Sequence, residues 1–374
     1  MKNLNRIIVP VLLAITVLAC SEDDPKAPLI IPTTYDASTF AANTATQNAV
    51  LTALTNQVTE AKKGRTPGTV VTLTALQNLY TAGSPSLKTV STTYYAEKME
   101  GTGGYMDELA KASGGTYTPG TPTGQGGTYG PYLFDENGLE FEQLIEKGQF
   151  GAVLYKHATD LMAGTITAAT PDQIIAIFGT TPAFPNTTNA ANATVPDKFM
   201  ATYGARRDNN DGTGLYFQFK NACIKLQAAI KAGDDYKPEQ KEALDAIALV
   251  WDEINAATII NYAQQATATL SKTTVTDADK ASALHALGEG IGFAHGWKTI
   301  PQAYRKITDA QIDELLVLFN APATGTPTVY KFATDAVNEL PKLQQIISKQ
   351  KALYEFTDQE IEGFKNNWVT VQNR

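Results

Sequence analysis

Residues 238–272 read PEQKEALDAIALVWDEINAATIINYAQQATATLSK, and the fold class turns on them. Leu244, Ile247, Trp251, Ile254, Thr258 and Tyr262 fall three and four residues apart, the spacing that places side chains on one face of an α-helix. Pro238 stands where a first helical turn tolerates a residue with no N–H. The spacing predicts one long helix, and its apolar face needs other helices to cover it.

The same periodicity recurs outward in both directions, through residues 41–64, 72–83, 139–164, 216–233 and 330–354. Thr308 with Gln311 and Thr357 with Glu360 match the capping box, and Gly64, Gly83, Gly164 and Gly233 stand where helices should stop. Strand signals are weak. The best, PGTVVTLT at 67–74, also reads as the lead-in to a helix. The belt GGTYTPGTPTGQGGTYGP at 114–131 carries too little apolar surface to order itself and is expected to be a long loop, as is the stretch 180–196. The expected fold class is all-α: a multi-helix bundle over residues 35–374, as one body or as two packed half-bundles, with long Gly/Thr/Pro loops exposed.

The amino terminus, MKNLNRIIVPVLLAITVLAC, sets Lys2 and Arg6 before an apolar run that ends at Ala19. This is the layout of an export signal, and the run is too short to span a bilayer permanently, which takes about 20 apolar residues. Val17, Leu18 and Ala19 before Cys20 resemble a bacterial lipobox, which implies a signal peptide over 1–19 and lipidation of Cys20. Acyl chains contribute roughly 0.8 kcal/mol per buried methylene, so several of them anchor firmly. Residues 20–34, acidic and then rich in proline, read as a flexible tether. Ser21, Glu22, Asp23 and Asp24 after the cysteine resemble the acidic signal that sends some Gram-negative lipoproteins to the outer face of the outer membrane.

The chain holds 30 basic and 38 acidic residues, a net charge of −8, with its lysines and arginines scattered. Nucleic acid is therefore not an expected partner, because phosphate backbones call for clustered positive charge. The two cysteines are Cys20 and Cys223. With the first lipidated no intrachain disulfide can form, and the second, in an apolar helical stretch, reads as a small buried hydrophobe.

One short stretch carries candidate chemistry: HALGEGIGFAHGWK, residues 285–298. On a helix His285 and Glu289 share a face, and an imidazole nitrogen and a carboxylate oxygen are ordinary ligands for zinc or iron. His295, ten residues on, lies about 15 Å along the axis and cannot join them. A further ligand would have to come from another helix, with His157 and Glu140 as candidates. The other reading rests on Gly288, Gly292 and Gly296, which recur every fourth residue as a stripe without side chains. Each glycine costs a helix roughly 1 kcal/mol relative to alanine, a cost that close approach of a neighbouring backbone would offset. In this reading His285 and Glu289 flank the contact and hydrogen-bond across it. RRDNNDGTG, 206–214, has the composition of a calcium loop but sets glycine one position early and lacks the closing glutamate. Asp135, Glu136, Glu140 and Glu142 cluster at a helix start, where the macrodipole favours negative charge. No serine elbow, phosphate loop or Cys–His pair appears, and no catalytic residue or cofactor is assigned.

Three phrases, GPYLFDENGLEFEQLIEKGQFGA (130–152), VWDEINAATIINYAQ (250–264) and HALGEGIGFAHGWKTIP (285–301), resemble in that order blocks of an uncharacterised family of Gram-negative surface lipoproteins. That family is itself distantly similar to imelysin-like proteins, exported helical proteins associated with iron uptake. The resemblance implies a helical, exported protein linked to nutrient or metal uptake. The chain departs from it where relatives carry a segment rich in His, Glu and Trp, since TPDQIIAIFGTTPAFP (170–185) has no histidine or glutamate. It also has Glu140 and Gln143 where the imelysin-like motif Gly-x-His-x-x-Glu has its histidine and glutamate. The functional expectation is a non-enzymatic, lipid-anchored binding protein, surface-exposed on the outer membrane, with a small molecule, metal complex or protein as ligand. The alternatives are a metal-dependent hydrolase using His285 and Glu289, and a structural subunit of an outer-membrane complex.

Overall fold

The computed structural model describes residues 26–122 and 124–374. The expected signal peptide, Cys20 and the first part of the expected tether lie outside the described residues. The principal helices are α1 (Ala45–Lys62), α2 (Leu73–Thr81), α3 (Tyr105–Ala112), α4 (Phe141–Gln149), α5 (Lys156–Ala163), α6 (Thr170–Phe178), α7 (Phe199–Arg207), α8 (Leu215–Ala232), α9 (Lys237–Leu270), α10 (Asp277–Gly296), α11 (Asp309–Leu318) and α12 (Ala336–Tyr354). The molecule is an all-α bundle, with short helical turns between these elements.

α9 is the axis of the bundle. It packs against α8, α10 and α12, and α10 in turn packs against α4. The expected stripe is there, with Ile247, Trp251, Ile254, Thr258 and Tyr262 all buried. From Trp251 to Gln264, however, every residue except Glu253 is buried, so this part of the helix has no solvent face. Its alanines and asparagines are small or internally bonded, which lets neighbouring helices close on several sides at once. Asn261 Nδ2, for example, donates to the Phe364 carbonyl at 2.7 Å. The buried apolar residues form one continuous cluster from Tyr35 to Val369.

Local signals act where the sequence places them. Capping boxes stand at Thr308/Gln311 and Thr357/Glu360, and a third, Thr276/Asp279, starts α10. Gly233, with φ of 99°, ends α8. Gly64 behaves otherwise: it lies in a 3₁₀ turn, Lys63–Arg65, that prolongs α1. A Cβ there would come within 2.7 Å of the Leu133 side chain, so the glycine lets this turn seat tightly and carry Arg65 inward.

Of the two readings left open at 67–74, the structure shows the lead-in to a helix, and the belt at 114–131 needs revision. PGTVVTLT forms no strand, and α2 starts at Leu73 with Thr72 as its cap. The belt is not a plain loop. Its end forms the first strand of a small antiparallel hairpin, β1 (Gly127–Tyr129), which pairs with β2 (Tyr132–Phe134) just beyond the belt in the register Gly127↔Phe134, Tyr129↔Tyr132. Burial comes from Tyr117 in the belt together with Leu133 and Phe134 just beyond it, all of which are in the core. A Cβ on Gly127 would sit 2.2 Å from the Gly115 carbonyl carbon, so only glycine admits this crossing. Residues 180–196 contain neither helix nor strand. The described part of the tether is pinned to the start of α9, with Lys26 paired to Glu239 at 2.6 Å and Tyr236 Oη donating to the Ala27 carbonyl at 2.9 Å.

Candidate functional site

The site begins with the contact between α10 and α4. A Cβ on Gly296 would lie 2.1 Å from the Gly148 carbonyl oxygen, and one on Gly292 would lie 2.7 Å from the Gln143 carbonyl oxygen. Gly288 is looser, with the Glu140 Cβ 3.1 Å away. The glycine face of α10 thus lies directly on the α4 backbone, and Gly151 in the π-helical turn Phe150–Tyr155 continues the contact against Gly296. This approach brings the charged residues that flank the stripe on both helices within reach of one another.

Those residues form a closed circuit in which acidic and basic side chains alternate. His285 Nδ1 meets Glu140 Oε2 at 2.7 Å, and the other Glu140 oxygen meets Arg65 at 3.0 Å. Arg65 also pairs with Glu142, which faces Lys62 at 3.9 Å. Lys62 pairs with Glu146 at 2.9 Å, Glu146 with Lys147 at 3.0 Å, and Lys147 with Glu289 at 3.4 Å. Glu289 lies 3.8 Å from His285 Nε2 and closes the ring. Glu140 and Glu142 are completely buried at the side chain, so both depend on their neighbours in the ring rather than on water.

The ring tunes its members. Burial works against a charge on His285, but the Glu140 charge and hydrogen bond, with Glu289 behind them, raise the imidazole above its ordinary value. Burial and the neighbouring Glu140 charge push Glu142 up to about 8 against the pull of Arg65. Burial likewise opposes the Glu146 charge, yet Lys147 and Lys62 hold that carboxyl down at about 2. Glu142, linked to His285 through Arg65 and Glu140, is the ring carboxyl that exchanges its proton nearest neutrality.

Above the ring opens a cleft of about 1020 Å³, with His285 and Glu289 in its wall. Tyr132, brought by the hairpin, stacks on the His285 ring at 4.1 Å and 9°. Tyr262 of α9 stands beside Glu289, where burial and that carboxylate hold its hydroxyl well above the ordinary value. Arg206 and Arg207 from the end of α7, with the amides of Asn261, Gln264, Gln265 and Gln344, complete a largely polar lining.

Of the residues singled out in the sequence, the fold brings His285, Glu289 and Glu140 together. The two carboxylates take opposite edges of the imidazole, one at each nitrogen, and so do not converge on a shared ion. Among the described residues no group of three or more His, Cys, Asp or Glu side chains is arranged to hold a metal. His157 is not part of the ring; its Nε2 lies 3.1 Å from the Gln47 amide nitrogen. His295 is buried between two tyrosines, with Tyr94 Oη at 2.7 Å from Nε2 and Tyr105 Oη at 2.6 Å from Nδ1. Burial, aided by Lys98 and Lys298, lowers its pKa to about 3 and keeps it neutral. Asp208 in the calcium-like loop is fully buried and accepts from the amides of Asn210 and Phe217, a turn that starts α8. Asp135 likewise serves its own turn, accepting from the Leu139 amide at 2.7 Å. Cys223 is a buried free thiol, pushed well up by burial.

Arg65, Lys62, Lys147, Arg206 and Tyr132 were not singled out in the sequence. One signal for the ring was present: in FEQLIEKGQ, α4 mixes Glu142, Glu146 and Lys147 with apolar residues so closely that charge falls on its buried faces. No helix among the described residues is long and apolar enough to cross a membrane. No family model, curated protein or solved structure matches the chain.

Proposed function

We propose that this is a lipid-anchored binding protein of the cell exterior, and that its ligand occupies the cleft above the charged ring. One observation carries the binding part: the cleft wall is built from side chains that are already immobilised. His285 is hydrogen-bonded to Glu140 through Nδ1 and stacked on Tyr132, and Glu289 pairs with Lys147. Groups fixed in this way lose little entropy when a ligand arrives, which favours binding. The Glu140 contact occupies Nδ1 of His285, while Nε2 stands 3.8 Å from Glu289, close enough for attraction between charges but too far for a hydrogen bond. The anchor and the outer-membrane location rest on the export layout, Cys20 and the acidic residues that follow it, supported by the resemblance to surface lipoproteins.

Three measurements test this function. Cells grown with labelled palmitate should yield labelled protein, Cys20→Ala should abolish the label, and protease added to intact cells should remove the protein. A thermal-shift screen of polar metabolites should yield stabilising ligands whose effect is lost in Tyr262→Ala, since ligand binding to the folded state alone raises apparent stability. Unlabelled, protease-resistant protein would refute the anchor and surface location, and hits indifferent to Tyr262→Ala would refute the cleft.

A further inference from the structure

The cleft wall holds an imbalance of charge. Glu289 is matched by Lys147 and His285, and Glu362 by Lys365 at 2.6 Å. Arg206 and Arg207 remain. Neither has a carboxylate within ion-pair distance among the described residues, in a chain whose net charge is −8. Arg207 is only 7 % exposed, its Nη1 donates to the Phe364 carbonyl at 2.8 Å, and its Nε has no partner. Arg206 lies over the Tyr203 ring at 5.1 Å. Burial presses the Arg207 guanidinium down to about 10, with the neighbouring Arg206 charge adding to it, whereas Tyr203, Tyr262 and Glu289 hold Arg206 above its ordinary value against burial. The carboxyl end of α7 supplies only about half an elementary charge, and a neutral carbonyl supplies less. A guanidinium buried without a carboxylate partner is unfavourable, and an arriving anion would relieve that.

We propose that the cleft receives a small polar molecule through an oxyanion group, a carboxylate or a phosphate, which lies against Arg206 and Arg207. This rests on the reading of the cleft as a ligand site and adds the chemical class of the ligand. Guanidinium groups suit such a group because their planar fork matches its paired oxygens. Asn261, Gln264, Gln265 and Gln344 then face the polar body of the ligand, and the Tyr262 ring packs along it.

The test is equilibrium dialysis of full-length protein in detergent, at constant ionic strength, with labelled inorganic phosphate, labelled acetate and labelled sorbitol as a neutral probe. The expected result is saturable uptake of phosphate or acetate, with Kd of about 1 mM. Arg206→Gln should weaken it about tenfold or more, and Arg206→Lys less. Which anion binds more tightly identifies the head group. Arg207→Lys, checked for native circular dichroism, keeps a charge but removes the fork and should weaken uptake as well. Failure of both anions to bind saturably, or uptake unchanged in Arg206→Gln and Arg207→Lys, would overturn the proposal. If the anions fail while sorbitol binds and loses affinity in Tyr262→Ala, the oxyanion is refuted and the cleft remains a binding site.

Discussion

The behaviour of single residues here follows from what burial does to charge. Glu140 is the hinge of the ring, since it alone joins His285 to Arg65. Glu140→Gln removes a buried charge from between two bases and should destabilise the protein by about 3 kcal/mol in urea denaturation. In a double-mutant cycle with His285→Gln the effects should be clearly non-additive. His295 predicts the opposite kind of pH effect from His285. Its folded-state pKa of about 3 lies below the unfolded value, so the unfolded chain binds the extra proton in between. The stability that its neutral form contributes is therefore present above about 6.5 and is lost as pH falls toward 3, at up to about 1.4 kcal/mol per pH unit. Relative to His295→Gln, wild-type stability should fall more steeply between pH 6 and pH 4, as read from urea midpoints; parallel profiles would contradict the buried neutral imidazole.

At the scale of elements, the decisive contact is helix α10 on helix α4, and it gives a graded prediction. An added methyl meets backbone oxygen at 2.1 Å at Gly296 and at 2.7 Å at Gly292, but at Gly288 it meets only a side-chain carbon at 3.1 Å. Alanine substitutions should therefore destabilise in the order Gly296, Gly292, Gly288. The first should cost about 3 kcal/mol or more, and the last should come close to neutral once the roughly 1 kcal/mol gain in helix propensity is counted. Equal effects at the three sites would argue against backbone contact. The same contrast separates what the sequence made legible from what it did not. The helices could be read because a 3.6-residue period is a local property, as was the i, i+4 pairing of His285 with Glu289. The hairpin could not, because three-residue strands have no pattern of their own and depend on Tyr117, Leu133 and Phe134 finding the core. Arg65 stands 220 positions before His285 in the chain, and no spacing rule connects the two before the bundle is assembled.

For the whole molecule, the sequence left one body and two half-bundles both open. The apolar core is continuous from Tyr35 to Val369, with α9 running through it. Calorimetry should accordingly show a single unfolding transition whose calorimetric and van 't Hoff enthalpies agree, and two resolved transitions would point to separable halves. The ring adds a loss of stability as pH rises. Because the folded-state pKa of His285 is raised, the stability it contributes is complete below about 6.5 and is lost as pH rises through the raised value. Glu142, raised to about 8, acts in the same direction: its contribution, present below the ordinary carboxyl value, declines as pH climbs toward 8. Both effects come from one cause, the closing of α1, α4 and α10 around a set of charges that water no longer screens.

The most direct test of that cause is the ionisation of His285 itself, followed by nitrogen-15 NMR of histidine-labelled protein and assigned by comparison with His285→Gln. A titration midpoint above 6.5, with both ring nitrogens protonated below it and the midpoint falling in Glu140→Gln, is the result the ring requires. A midpoint at or below 6.5 that ignores Glu140→Gln would mean that His285 is not held by the ring, and the account of the cleft built on it would fail.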